Sequence, residues 1–139
     1  MCASAGLSPK GYEIEWATNR LGHALLIPVL LPLLTRTALL YGNARVVNIT
    51  SEGLMLASAD KGIVFDDLKT KQEYGFGPRW KRYGQCKLAQ VLYTSQIAQR
   101  YSPCLLSPFT PPLLAPKLVQ TLGLAERLLV YATSKMGSP

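Results

Sequence analysis

Tyr83 and Lys87 stand four positions apart in Arg79-Trp80-Lys81-Arg82-Tyr83-Gly84-Gln85-Cys86-Lys87-Leu88-Ala89-Gln90, ahead of an apolar series at helical spacing, Leu88, Val91, Leu92 and Ile97. On a helix, positions i and i+4 share a face one turn apart, so a phenol and an ammonium can point into one space. A free tyrosine, with a pKa of about 10, handles protons poorly at neutral pH, and a fixed positive charge beside it favours the phenolate. Two unit charges about 4 Å apart interact by roughly 4 kcal/mol at an effective dielectric of about 20, enough to move a pKa toward neutrality. That is how a general acid–base is tuned. Taken alone, the same two residues also describe a solvated helix face.

A hydroxyl pair comes from Arg45-Val46-Val47-Asn48-Ile49-Thr50-Ser51. This short, mostly apolar and β-branched run suits a parallel strand covered on both faces. In open parallel sheets ligands bind just past the carboxyl ends of strands, where Thr50 and Ser51 fall. From Glu52 to Pro78 a long connection carries one apolar element, Gly62-Ile63-Val64-Phe65, and connections of this length are often lids or binding loops. The Tyr83 helix is predicted from Arg79 to Arg100.

Upstream, Ile14, Ala17, Leu21 and Leu25 predict an amphipathic helix from Gly11 to about Leu34, entered through Ser8-Pro9 with Glu13 and Glu15 in its first turns. Its second half, Ala24 to Leu34, is apolar all round. That run falls short of the ~20 residues a bilayer needs and holds Pro28 and Pro32, so the expectation is a helix buried against a sheet or a second subunit, with no transmembrane segment. The order helix, strand with hydroxyl end, loop, helix is half of a doubly wound α/β fold.

The 139 residues allow one domain with a modest core, and 48% hydrophobic against 17% charged residues describes a folded chain. A net charge of +7 is densest over Lys69, Lys71, Arg79, Lys81, Arg82 and Lys87. Without aromatic interleaving or a nucleic-acid motif, that density reads as a solvated or cofactor-side face. Cys2, Cys86, Cys104 and the lone His23 give neither a disulfide framework nor a metal-site spacing. No secretory pattern opens the chain, and a reducing, cytoplasmic setting is expected.

Three blocks carry a family resemblance: Gly11 to His23 (Gly-Tyr-Glu-Ile-Glu-Trp-Ala-Thr-Asn-Arg-Leu-Gly-His), Ala44 to Gly53 (Ala-Arg-Val-Val-Asn-Ile-Thr-Ser-Glu-Gly) and Arg82 to Ala89 (Arg-Tyr-Gly-Gln-Cys-Lys-Leu-Ala). Over about residues 10–101 the chain resembles the short-chain dehydrogenases/reductases, and within them the retinol-dehydrogenase-like branch with many fungal members. The resemblance implies a partial Rossmann-like doubly wound parallel sheet, the second half of that fold. It also implies hydride transfer between NADP (or NAD) and a small-molecule carbonyl or alcohol, in fungal members often a secondary metabolite. Tyr83 would pass the proton to or from the substrate oxygen, Ser51 would hydrogen-bond that oxygen, and Lys87 would lower the Tyr83 pKa and bind the cofactor ribose. Asn19 would complete the tetrad by holding the helix and a relay water, whereas Thr50 is read as structural.

The family's Gly-rich pyrophosphate turn and first strands are absent from the sequence, so the chain is expected to be a truncated and impaired enzyme. A non-catalytic alternative is a module that dimerises with itself or a relative through the helices around Asn19 and Tyr83. Where the family places a strand and a Pro-Gly turn, residues 102–117 hold five prolines, which are expected to exclude a central strand. Back-translating Cys104 to Lys117 and reading one nucleotide earlier can give a family-like strand and Pro turn, so a local frame change is expected there, the alternative being a genuine Pro-rich surface loop. A C-terminal helix and tail follow over 118–139.

Overall fold

A computed structural model of the chain describes residues 4–57, 61–72, 76–101 and 105–109. The chain enters through a turn rather than through the expected helix start at Gly11. The Ser8 hydroxyl accepts from Tyr12 N at 3.1 Å, its carbonyl accepts from Gly11 N at 2.8 Å, and Gly11 takes φ +77° to close the turn. Helix α1, Ile14–Trp16, begins only after Glu13, whose extended backbone lets its carboxylate accept from the amides of Glu15 (3.0 Å) and Trp16 (2.8 Å). Glu13 is thus the cap and not a first-turn acid.

The helical path continues through a π turn, Ala17–Leu21, into α2, Gly22–Tyr41, and stops where Gly42 adopts φ +78°. The helix runs past the expected end at Leu34, and Pro28 and Pro32 are both held inside it. A proline removes the N–H that would bond the carbonyl four residues back. For Pro28 that carbonyl belongs to Ala24, and the Tyr93 hydroxyl, from a later helix, donates to it at 3.1 Å. The helix is also less covered than expected: Ile27 and Ala38 are buried, while Leu25, Val29, Leu33 and Leu39 are between 63% and 75% exposed. By length and composition the path Ile14–Tyr41 suffices to cross a bilayer, a test that core helices of soluble proteins also pass.

Strand β1, Arg45–Ile49, pairs in parallel with β2, Leu105–Phe109, Arg45 opposite Leu105 and Ile49 opposite Phe109. Parallel strands need a long crossover, and α3, Phe76–Arg100, supplies it. Leu105–Phe109, within the proline-rich 102–117, does form a strand, though not the central one that the prolines were expected to exclude. Among the described residues the sheet has two strands, each with an open edge where a missing N–H costs no ladder bond, and Pro108 is accommodated opposite Asn48. A correction concerns β1, expected to be covered on both faces. Asn48 is buried on the α3 side, but Val47 and Ile49 are exposed, so among the described residues one face of the strand is covered. The rest of the proline-rich segment and the expected helix beyond residue 118 lie outside the described residues.

Between β1 and α3 the connection forms two 3-10 turns, Glu52–Leu56 and Phe65–Lys69, in place of an open loop. The second contributes Leu68 to a core with Trp16, Cys86 and Ala89, on which Tyr12, Leu21 and Ile63 pack. The first lies directly against α3 at Gly84. A Cβ built there would stand 2.8 Å from the Gly53 carbonyl oxygen and from Leu56 C, and would overlap Ala57 N. Only a residue without a side chain lets these two backbones meet.

Beside that contact, Arg82 and Glu13, each side chain 1% exposed, lie 3.8 Å apart (Nε to Oε1) and tie α3 to the start of α1. Arg82 also donates to the Gln72 carbonyl at 3.3 Å. Breaking such a buried pair leaves an uncompensated charge.

Two substitutions test this architecture by urea denaturation. Gly84→Ala should lower the unfolding free energy by about 1–3 kcal/mol through overpacking against backbone that cannot give way. Tyr93→Phe should cost about 1 kcal/mol by leaving the Ala24 carbonyl unpaired, and an unchanged midpoint would remove the account of how Pro28 is tolerated.

Candidate active site

The strand end and the middle of α3 are stitched together by side chains of both. The Thr94 hydroxyl donates to the Gln90 carbonyl of its own helix at 2.7 Å, so its oxygen is available to accept from Asn48 Nδ2 at 2.8 Å. Asn48 Oδ1 in turn accepts from Gln90 Nε2 at 3.1 Å, which lies 3.4 Å from His23 Nδ1 on α2. Thr94 is fully buried and Gln90 and Asn48 nearly so, which makes each unmade bond expensive and fixes the directions of the chain.

Two residues further along the strand path, at Thr50, a similar exchange occurs at the candidate site. The Thr50 hydroxyl donates to the Lys87 carbonyl at 3.1 Å, and the Lys87 ammonium donates to the Ile49 carbonyl at 3.2 Å. Strand end and helix turn therefore hold each other. The structural reading of Thr50 agrees with this bond.

Tyr83 and Lys87 do share one face of α3. Tyr83 is 8% exposed, its ring edge-on to Trp80 with centroids 6.2 Å apart, and the Lys87 ammonium lies 5.6 Å from the Tyr83 ring centroid. The cation is close enough to act on the ring electrostatically. Burial lowers the Lys87 pKa from its ordinary value, with the Cys86 and Glu15 charges opposing.

Ser51 follows β1 with extended backbone and caps the first 3-10 turn, its hydroxyl accepting from Gly53 N at 3.1 Å and its carbonyl from Leu54 N at 3.0 Å. With the oxygen occupied as acceptor, the hydroxyl proton is what Ser51 has to offer a ligand. A Cβ built on Gly53 would stand 2.7 Å from Tyr83 Cε1 and 3.4 Å from Ser51 Oγ. The structure thus brings Ser51, Tyr83 and Lys87 to one place.

Asn19 is placed differently. It sits half-buried in the π turn, and among the described residues no hydrogen bond joins it to Tyr83 or Lys87. Interruptions of this kind in a helix often occur at functional positions.

Sequence reasoning gave no role to Gly53, Gly84, Asn48, Gln90 or Thr94. Gly84 carried a faint signal as a glycine inside a helical pattern, while Asn48 in the strand and Gln90 and Thr94 in the helix carried none. Cys86, next to the site in sequence, points into the core at 1% exposure, and burial pushes its thiol far above the usual range. It is a packing residue and not a nucleophile.

No family model and no solved structure matches the chain. Curated relatives do. The chain is 36% identical over 107 residues to the short-chain dehydrogenase/reductase drtF of Aspergillus calidoustus, covering 74% of this chain and 32% of that protein. It is 34% identical over 101 residues to the short-chain dehydrogenase/reductase prx1 of Penicillium rubens, covering 73% and 28%. It is 38% identical over 96 residues to an uncharacterized oxidoreductase of Schizosaccharomyces pombe, covering 68% and 27%. The chain belongs to the short-chain dehydrogenase/reductase family, whose fold is Rossmann-like α/β, and it spans about a third or less of the length of these relatives.

The two perturbed groups near the site titrate with opposite consequences. Lys87 has a lower pKa folded than unfolded, so the unfolded chain binds its proton more tightly, and this group's contribution to stability rises as pH climbs toward 10.5. Cys86 has a raised folded pKa, so its contribution falls as pH rises past 9.0. In a Cys86→Ala background, denaturation from pH 7 upward should therefore show a more positive stability slope with Lys87 than with Lys87→Met. Equal slopes would mean that the ammonium is solvated.

Proposed function

We propose that this chain carries the proton-handling part of an NAD(P)-dependent oxidoreductase that interconverts a small-molecule carbonyl and an alcohol. The single observation that supports it most is that the Ser51 hydroxyl and the Tyr83 ring meet at Gly53, with the Lys87 ammonium 5.6 Å from the centroid of that ring. In this reading Tyr83 passes the proton to or from the substrate oxygen, and Ser51 donates its hydroxyl proton to that oxygen as charge develops on it. Lys87 favours the phenolate of Tyr83. It spends one donor on the Ile49 carbonyl and keeps two for the hydroxyls of a cofactor ribose, a donor set that fits that group.

The nicotinamide cofactor supplies or accepts the hydride when bound. Asn19 would stand behind Lys87, holding the π turn and a water for proton relay. The retinol-dehydrogenase-like branch and a secondary-metabolite carbonyl as substrate extend the reading along the same family line. The partial doubly wound sheet is part of the proposal too, β1 and β2 being its two parallel strands.

A second reading is favoured by the exposed row Leu25, Val29 and Leu33 on α2. A surface of this kind marks an interaction site, here a dimer with a like chain through the helices around Asn19 and Tyr83, without catalysis.

Cofactor binding separates the two. Titrating the pure chain with NADPH and with NADH, followed by cofactor fluorescence, should show saturable binding for the oxidoreductase and none for the interaction module. With turnover in hand, Tyr83→Phe should reduce it by at least about a hundredfold, and Lys87→Ala should reduce it sharply. Turnover indifferent to both would remove the mechanism.

A further inference from the structure

Resting on the reading of Ser51 and Tyr83 as the pair that meets the substrate oxygen, we propose that Gly53 is a positioning residue that sets the separation of hydroxyl and phenol. Its backbone occupies the space between them. The amide of Gly53 holds the Ser51 oxygen at 3.1 Å, and its Cα carries no side chain on the side that faces the Tyr83 ring. A methyl group there would stand 2.7 Å from Cε1 and 3.0 Å from Cδ1 of that ring, inside any normal carbon–carbon contact.

The ring has little room to yield. Trp80 meets it edge-on at a centroid distance of 6.2 Å, the Lys87 ammonium lies 5.6 Å from its centroid, and its backbone is pinned because Gly84, the next residue, touches the same 3-10 turn. Gly53 does not need glycine for backbone conformation, since its φ lies outside the left-handed region. What the position excludes is the Cβ itself. Gly53 and Gly84 thus divide the work: Gly84 lets helix and turn backbones meet, and Gly53 then lets the phenol close on the strand-end hydroxyl.

The test compares Gly53→Ala in the native chain and in a Tyr83→Leu background, with ring 13C–1H spectra of labelled tyrosines and urea denaturation as readouts. The Tyr83 ring signals should move in Gly53→Ala while those of Tyr12 and Tyr93 stay in place, a response that a general loss of stability does not produce. The destabilisation by Gly53→Ala should be smaller in the Tyr83→Leu background, where the clashing ring edge is gone. Tyr83 signals that stay fixed in a folded Gly53→Ala chain would overturn the proposal. So would an equal loss of stability in both backgrounds, or a failure to fold in both. Because neither readout needs cofactor or turnover, a chain that binds no nicotinamide yet shows the coupling loses the oxidoreductase reading and keeps the positioning role.

Discussion

The contact at Gly84 is the constraint on which the rest of the structure depends. Helix α3 can lie on the 3-10 turn Glu52–Leu56 only because no Cβ intervenes between its axis and the carbonyl of Gly53. That turn begins at Ser51, so the depth of the packing sets where the strand-end hydroxyl stands against the helix. Residues 82–86 then distribute around the contact. Arg82 turns back to Glu13, Tyr83 faces Ser51 and Gly53, Gln85 accepts from Val64 N at 2.8 Å, and Cys86 enters the core. One turn of helix thereby meets the start of α1, both 3-10 turns and the core.

Around that contact the molecule uses polar bonds where a larger domain would use apolar area. Asn48, Gln90 and Thr94 form a buried chain from strand to helix, Thr50 and Lys87 exchange bonds at the strand end, and Tyr93 repairs the carbonyl that Pro28 leaves open. Each bond contributes only about 1 kcal/mol net, but each partner is costly to leave buried and alone. The bonds therefore select one register more than they add stability. The same logic keeps Glu13 and Arg82 buried: removal of either would strand the other. Among the described residues, apolar surface is by contrast left uncovered on α2 and on the outer face of β1. In a parallel sheet both faces are ordinarily covered.

The elements most legible in the sequence were those with local causes. The β-branched run Val46 to Ile49, the 3.6-residue period after Tyr83, and the i, i+4 spacing of Tyr83 and Lys87 each recur in the structure close to where the pattern puts them. Errors fell where a local rule met a distant partner. The prolines of α2 were read as weakening the helix, but Tyr93, sixty-nine residues from Ala24, supplies the missing donor. Glu13 was read as a helix-dipole acid, yet Arg82 draws it into the interior, where it caps the helix instead.

By itself the sequence determined the chemical groups and their order along the chain: a hydroxyl at a strand end, then a phenol and an amine one helical turn apart. Side-chain type and helical period are local properties, and they survive whatever the rest of the chain does. Convergence of the hydroxyl on the phenol was decided by tertiary structure alone. Ser51 and Tyr83 are separated by a connection whose path no periodicity describes, and their approach depends on two absent Cβ atoms, at Gly53 and Gly84, whose meaning appears only when two backbones occupy the same few ångströms.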